Sequence, residues 1–155
     1  MTIIGRLMRF FMERAAKTKS YDDLTRGLTQ GEAKVVRAFT EAEDTPRNRA
    51  TAAHIIGIER WGTQRLRVLL GEPLQRDEYD GYRPPTDRSP AQLAEEFRAA
   101  RQATLDLTRQ LAATGTDLRA TVLHNDAGNM RLAGWLVYLN VHASMEATRL
   151  RKARS

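Results

Sequence analysis

The sequence contains no cysteine, few aromatic residues and no apolar run long enough to span a bilayer. The absence of cysteine excludes disulfides, thiolate metal sites and a cysteine nucleophile, so histidine and carboxylate side chains remain as the strong metal ligands. Because we find neither a spanning run nor a signal peptide with a cleavage site, we expect a cytoplasmic protein without a transmembrane segment. At 155 residues the chain is long enough for one domain with its own hydrophobic core.

The chain is basic, with a formal net charge of +6 and a pI near 10.2. Arginine carries most of the positive charge, and charges of both signs are scattered along the chain rather than massed in one segment. No known DNA-reading motif accompanies this charge. The basic composition alone therefore does not favour a nucleic-acid partner.

Abundant leucine and alanine, with proline confined to a few positions, favour an all-helical protein. Thr29 to Glu32 and Ser89 to Gln92 fit the capping box, in which two side chains satisfy free amides at the start of a helix. Between these signals apolar residues recur every three or four positions, which is the period of a helix that buries one face. The pattern predicts helices at residues 2–18, 29–43, 47–70, 90–113 and 130–153.

Two connections between these helices are long. Residues 72–88 form a loop that is unusually long for a helical bundle, so we expect it either to cover a site or to cross between helices that are not adjacent. Residues 116–129 are predicted to be irregular, with Asp126 and Gly128 as turn residues.

The first segment is amphipathic, and its apolar face is larger than a soluble monomer normally leaves open. We interpret residues 1–20 as an extension of a bundle domain that spans residues 21–155. The helix could anchor the protein to a membrane surface, act as a dimerisation arm, or cover the side of the bundle or of its partner subunit. From the size of this face we predict a homodimer. Its residues are Ile3, Ile4, Leu7, Met8, Phe11, Met12 and Ala15.

Two polar residues share the apolar stripe of the last predicted helix. His142 and Glu146 are four residues apart, so both project toward whatever Leu139 contacts. A carboxylate in such a stripe is costly unless it is paired or bound to a metal. The residues alone leave both explanations open, because His142 could be a hydrogen-bonded core residue and Glu146 could pair with Arg149 or Arg151.

His54 lies at a similar position in the predicted helix at 47–70. It precedes Ile58 by one helical turn and Trp61 by two, so it points at or near the core. A satisfied core histidine would show the same pattern as a ligand.

Four segments together resemble the DinB/YfiT-like family of four-helix-bundle proteins, many of which look like metal-dependent enzymes. The resemblance covers about residues 29 to 153 and implies an all-α, antiparallel four-helix bundle, to which the N-terminal amphipathic helix is added. The segments are AAHIIGIERW at 52–61, the long loop before the Ser-Pro helix start, LHNDAGNMRLAGWL at 123–136 and NVHASMEATRLRK at 140–152.

In this family a histidine early in the second bundle helix and two histidines four apart in the last helix bind one divalent metal, usually zinc or nickel. His54 and His142 match the first two ligand positions, whereas Glu146 stands where the family usually has histidine. A carboxylate is a normal zinc ligand, so the resemblance implies a metal site made of His54, His142 and Glu146.

The resemblance implies a thiol-dependent S-transferase or a hydrolase, acting on a small molecule or a thiol. The alternative is a non-catalytic, dimeric bundle with a decayed metal site that acts in binding or in a stress response. No catalytic acid or base is identified from the sequence. Tyr79, Asp80, Tyr82 and His124 are the candidates.

Overall fold

The computed structural model describes residues 1–154 and confirms the all-α fold class, with four bundle helices and one helix before them. A small two-stranded hairpin precedes the last helix. The helices are α1 (Ile3–Ala16), α2 (Tyr21–Thr40), α3 (Pro46–Leu66), α4 (Pro90–Ala113) and α5 (Leu132–Ala147), and the strands are β1 (Thr121–His124) and β2 (Gly128–Arg131).

In the bundle, α2 and α3 each pack against both α4 and α5, so α2 and α3 lie on opposite corners. The rings of Phe39, near the end of α2, and Phe97, near the start of α4, have centroids 5.7 Å apart. The hydroxyl of Tyr21, at the start of α2, donates to the carbonyl oxygen of Thr116, just after α4. These two helices therefore run antiparallel.

α3 and α4 run in the same direction, because Glu59 and Thr63 of α3 meet Arg101 and Thr104 of α4 in the same order along the two helices. A connection between parallel neighbours must return along the whole bundle. Residues 71–89 make this return, and the short helical turn at Tyr79–Tyr82 packs against α3. The connection is thus a crossover between the second and third bundle helices, as predicted, but these helices are adjacent and parallel rather than non-adjacent.

The predicted helix start at Thr29 is wrong, because α2 begins two turns earlier. Ser20 and Asp23 form the capping box that starts the helix. Leu24 and Leu28 are buried and extend the apolar stripe back to this cap. The hydroxyl of Thr29 donates to the carbonyl oxygen of Thr25 within the helix, so a capping-box pattern in the sequence does not start a helix when a buried stripe continues before it.

The last helix is shorter than predicted at both ends. It ends at Ala147 rather than at 153, and the chain turns to pair with the connection between α2 and α3. The side-chain amide of Asn48 donates to the carbonyl oxygen of Arg151 at 2.8 Å, and its oxygen accepts from the Arg151 amide at 3.1 Å. Asn48 is buried, so its two bonds compete with continuation of the helix.

Residues 121–131, predicted to be irregular up to 129, form the β1–β2 hairpin, with Thr121 opposite Arg131 and His124 opposite Gly128. Gly128 has a φ of 72°, a conformation that glycine adopts without steric cost. Val122 and Met130 are buried on one face of the hairpin. Only two alternating core positions mark these strands in the sequence, which explains why the pattern did not predict them.

α5 is buried on all sides over Leu132–Leu139, as a helix with an uninterrupted apolar sequence must be. α2 and α3 cover part of this surface, and α1 covers another part. Gly5 allows α1 to approach closely, since a Cβ atom built there would lie 2.1 Å from the carbonyl oxygen of Asp126. The first helix therefore serves the core of this chain.

A fully buried ion pair lies at the centre of the bundle. The Arg101 guanidinium donates to both carboxylate oxygens of Glu59, at 2.7 and 3.0 Å. The same guanidinium donates to the carbonyl oxygen of Leu28 and the side chain of Asn140, so one charged group joins all four bundle helices. Thr104 completes the network by donating to Glu59 at 2.7 Å.

We predict that Glu59→Gln will lower the free energy of unfolding by about 3–5 kcal/mol, because it leaves the buried Arg101 charge without a counterion. Urea denaturation measures this. Glu96→Gln is the matched control, since Glu96 pairs with Arg60 between the same two helices but is one quarter exposed. The control should lower the free energy of unfolding by about 1 kcal/mol or less. Equal losses in the two variants would show that the buried ion pair contributes no more to stability than the partly exposed one.

Candidate metal centre

His54 and His142 meet in the bundle, with their Nε2 atoms 3.2 Å apart. α3 and α5 run antiparallel, so a residue early in α3 faces one late in α5. Two nitrogens that each lie ~2.0–2.1 Å from a tetrahedral zinc ion are separated by about 3.3 Å. The spacing of the two imidazoles therefore fits two ligands of one zinc ion.

Aromatic rings enclose this histidine pair. The ring of Tyr79, from the crossover connection, stands edge-on to His54 with centroids 5.1 Å apart. The ring of Tyr138 lies 5.7 Å from that of His142, one turn earlier on α5. Both tyrosines are at least partly buried, so they exclude water from one side of the pair. The sequence analysis did not select Tyr138, although its position four residues before His142 on one helix face is a usable signal.

Asp77 holds the connection that carries Tyr79 against α3. Its carbonyl oxygen accepts from the indole nitrogen of Trp61 at 3.3 Å, and its carboxylate accepts from the buried Arg65 and from the hydroxyl of Tyr82. Burial, followed by the hydrogen bond to Asp77 and the negative charge of that carboxylate, raises the pKa of Tyr82 to about 12, so this hydroxyl remains a donor at neutral pH. The crossover is therefore held against α3 beside the histidine pair.

Burial favours the neutral form of both imidazoles. Burial, followed by the nearby His54 and the Arg149 charge, lowers the pKa of His142 to about 4. Burial also lowers the pKa of His54, although the Glu146 carboxylate opposes this shift. A neutral imidazole keeps a nitrogen lone pair for a metal, which a protonated one does not. Nδ1 of His142 is buried without a hydrogen-bond partner in the described chain.

Glu146 does not join the two histidines. Its Oε2 atom accepts a hydrogen bond from the Arg149 guanidinium at 3.1 Å, which is one of the two pairings that the sequence left open. Within residues 1–154 no three histidine, aspartate or glutamate side chains form a group that could hold a metal ion. The structure thus brings together two of the three expected ligands and leaves the carboxylate nearby, paired with arginine.

His124 lies apart from the pair, in the core. Its ring packs against the rings of Trp61, Trp135 and Tyr138, with centroids 5.0 to 5.2 Å apart. Nδ1 accepts from the backbone amides of residues 126 and 127, which places the proton on Nε2. This buried imidazole shapes the hairpin turn and does not contact His54 or His142 directly.

Of the other candidates for a catalytic acid or base, only Tyr79 touches the histidine pair. Asp80 forms an ion pair with Arg83, and the Tyr82 hydroxyl is bound to Asp77. The connection therefore contributes one side chain, Tyr79, to the site. Its other polar side chains mostly hold the connection in place.

The chain belongs to the DinB superfamily, whose family model matches residues 19–145. This match covers His54 and His142 and ends one residue before Glu146. Neither a curated protein nor a solved structure matches the chain. Family membership agrees with the bundle and with the place of the two histidines on its second and last helices.

Burial of His124 predicts a loss of stability in weak acid. Its pKa falls from 6.5 to about 4 on folding, so between pH 7 and pH 5 the unfolded chain binds a proton that the folded chain does not. This group should lower the free energy of unfolding by about 2 kcal/mol over that interval. Urea denaturation at both pH values, for wild type and His124→Asn, measures it. The variant should lose less on acidification, and an equal pH dependence in both proteins would contradict the assignment.

Proposed function

We propose that the protein is a metal-dependent enzyme of the transferase or hydrolase type that acts on a small molecule or a thiol. The observation that carries the proposal is the 3.2 Å separation of Nε2 in His54 and His142. Their low pKa values support it, because neutral imidazoles are ready to bind a cation. Zinc or nickel is the ion that we propose.

Glu146 is the proposed third ligand. It lies four residues from His142 on the same helix, and its charge already acts on His54. Its present partner, Arg149, has a side chain that is 70% exposed, and ion pairs with exposed arginines contribute little stability. The carboxylate can therefore exchange Arg149 for a divalent cation at small cost. Two imidazoles and one carboxylate are a known ligand set for catalytic zinc.

A bound divalent cation supplies a Lewis acid, which lowers the pKa of water or of a thiol so that a nucleophile forms near neutral pH. The protein supplies the surroundings. Tyr79 and Tyr138 exclude water from one side of the histidine pair, and Asp77 holds the connection that carries Tyr79. Tyr79 is the group best placed to hold or donate a proton there.

A second candidate is a non-catalytic bundle in which the site has decayed and the protein acts in binding or in a stress response. The ion pair between Glu146 and Arg149 favours it, because that pair occupies the carboxylate. The homodimer stays a prediction under both functions, and neither requires nucleic acid. Metal binding separates the two candidates.

We predict that protein stripped with a chelator will bind about one zinc ion per chain in a calorimetric titration. His142→Ala should abolish binding, because one histidine and one carboxylate cannot hold the ion, and Glu146→Gln should weaken it by roughly tenfold or more. Glu95→Gln is the matched control, since Glu95 also pairs with an arginine three residues later but lies on α4. If wild-type protein shows no saturable zinc uptake, the metal-dependent enzyme is contradicted and the non-catalytic bundle is the remaining candidate.

Changes at Arg149 and Glu146 test the third ligand separately. Arg149→Gln should tighten zinc binding, because it frees the carboxylate and removes a repelling charge, whereas Arg98→Gln, which frees the control carboxylate Glu95, should have no effect. Glu146→His should also tighten binding, since it restores the family's usual ligand. Acidification from pH 7 to pH 6 should weaken zinc binding by wild type only slightly, because burial lowers the pKa of His142 to about 4 and also lowers that of His54. An unchanged affinity in Arg149→Gln would remove Glu146 from the ligand set.

A further inference from the structure

α1 is apolar on two sides, and only one of them packs on the bundle. Its inner side consists of Gly5, Met8, Met12 and Ala16, which are buried or half-buried against α5 and the hairpin. Its outer side carries large apolar side chains in water, with Ile3 85% exposed and Phe11 53% exposed. The outer residues are Ile3, Ile4, Leu7, Phe10 and Phe11, and we call them the outer face of α1.

The sequence pattern predicts one apolar face that contains Ile3, Ile4, Leu7, Met8, Phe11 and Met12, and the structure divides this set. The inner residues Met8 and Met12 already cover α5, so the fold does not use the outer face. A contiguous exposed apolar surface of this kind normally marks a contact with a membrane or with another protein. Met1, just before α1, is exposed as well, whereas Leu74 and Met145 stand singly elsewhere on the chain.

Positive charges border the outer face. Arg6 and Arg14 are exposed on the same helix, and Lys17 is exposed directly after it. Beside its last turn, Lys19, Arg119 and Arg131 line a shallow groove together with Lys17. Three acidic side chains lie in the same region: Glu13 lines the groove and accepts the backbone amide of Arg131, Asp117 pairs with Arg119, and Asp126 lies in the hairpin turn near the start of α1. The border therefore carries a net positive charge.

We propose that α1 docks the protein on an anionic lipid surface, with the outer face in the interfacial region and the arginines and lysines at the headgroups. Leucine, isoleucine and phenylalanine next to arginine and lysine are the composition of helices that lie in the membrane interface. No helix in the described chain is long and apolar enough to cross a membrane, so α1 would lie on the surface rather than span it.

The same charges disfavour a second copy of this chain as the occupant, so this proposal competes with the homodimer that was predicted from the size of the same apolar face. Two outer faces brought together would place Arg6, Arg14 and Lys17 of one chain near the same cations of the other, and like charges destabilise such a contact. An anionic lipid surface instead offers opposite charge to all of them. α1 covers the first half of α5, whereas His142 lies in its second half. The proposal is thus independent of the metal site.

Vesicle flotation of the full chain tests the proposal. Wild-type protein should float with vesicles of phosphatidylcholine mixed with phosphatidylglycerol, should bind phosphatidylcholine alone at least several-fold less, and should be released by raised salt. The double variant Leu7→Gln, Phe11→Gln should bind the anionic vesicles roughly tenfold less or weaker still. Met145→Gln is the matched control, because Met145 is 64% exposed outside this face; it should bind like wild type.

Light scattering without vesicles, and circular dichroism of every variant, complete the experiment. The double variant should keep the wild-type helix content, because both side chains point into solvent. Arg14→Gln, Lys17→Gln should lose the preference for anionic vesicles. Equal binding to neutral and anionic vesicles, or no binding to either, would overturn the proposal. So would a wild-type mass of twice 17.5 kDa that falls to one chain in the double variant while no vesicles are bound.

Discussion

The bundle depends on the ion pair between Glu59 and Arg101, because within residues 1–154 this pair is the charged contact that reaches every bundle helix. Two charges removed from water are tolerated only when each finds nearly all of its partners, so the pair fixes how the four helices sit against one another. Gly31 fits this requirement, since a Cβ atom there would lie 1.9 Å from the Asn140 side chain that binds Arg101. Beside Gly31, α2 and α5 therefore pack so closely that the space between them holds the Arg101 network and no additional side chain.

The candidate metal centre follows from the same arrangement. Glu59 lies five residues after His54 on α3, and Asn140 lies two residues before His142 on α5. The network that contains Glu59 and Asn140 therefore also fixes the position along the bundle axis at which the two histidines face each other. The crossover connection, which exists because α3 and α4 run parallel, then brings Tyr79 to the open side of the pair. Bundle topology and site geometry thus have a common physical origin.

Much of this could be predicted from the sequence where a local signal and the core pattern agree. Ser89 starts α4 and Thr45 starts α3, and apolar periodicity continues from both caps. The helix start predicted at Thr29 was wrong because the apolar stripe continues before it through the buried Leu24 and Leu28. The resemblance identified His54 and His142, whereas the partner of Glu146 depends on side-chain rotamers that spacing does not fix. The apolar residues of α1 were found from the sequence, but their division into a covered and an exposed side was not, because a helical pattern shows that a side is apolar and not what covers it.

The central claim is that His54, His142 and Glu146 hold one divalent cation. X-ray absorption at the zinc edge of protein loaded with one equivalent of zinc tests it most directly, since it reports the donor atoms themselves. The account predicts a first shell of nitrogen and oxygen at ~2.0–2.1 Å with outer-shell scattering from two imidazoles in wild type, and no zinc retained at this site by His142→Ala. A shell of oxygen alone, or a spectrum that does not change in His142→Ala, would contradict it.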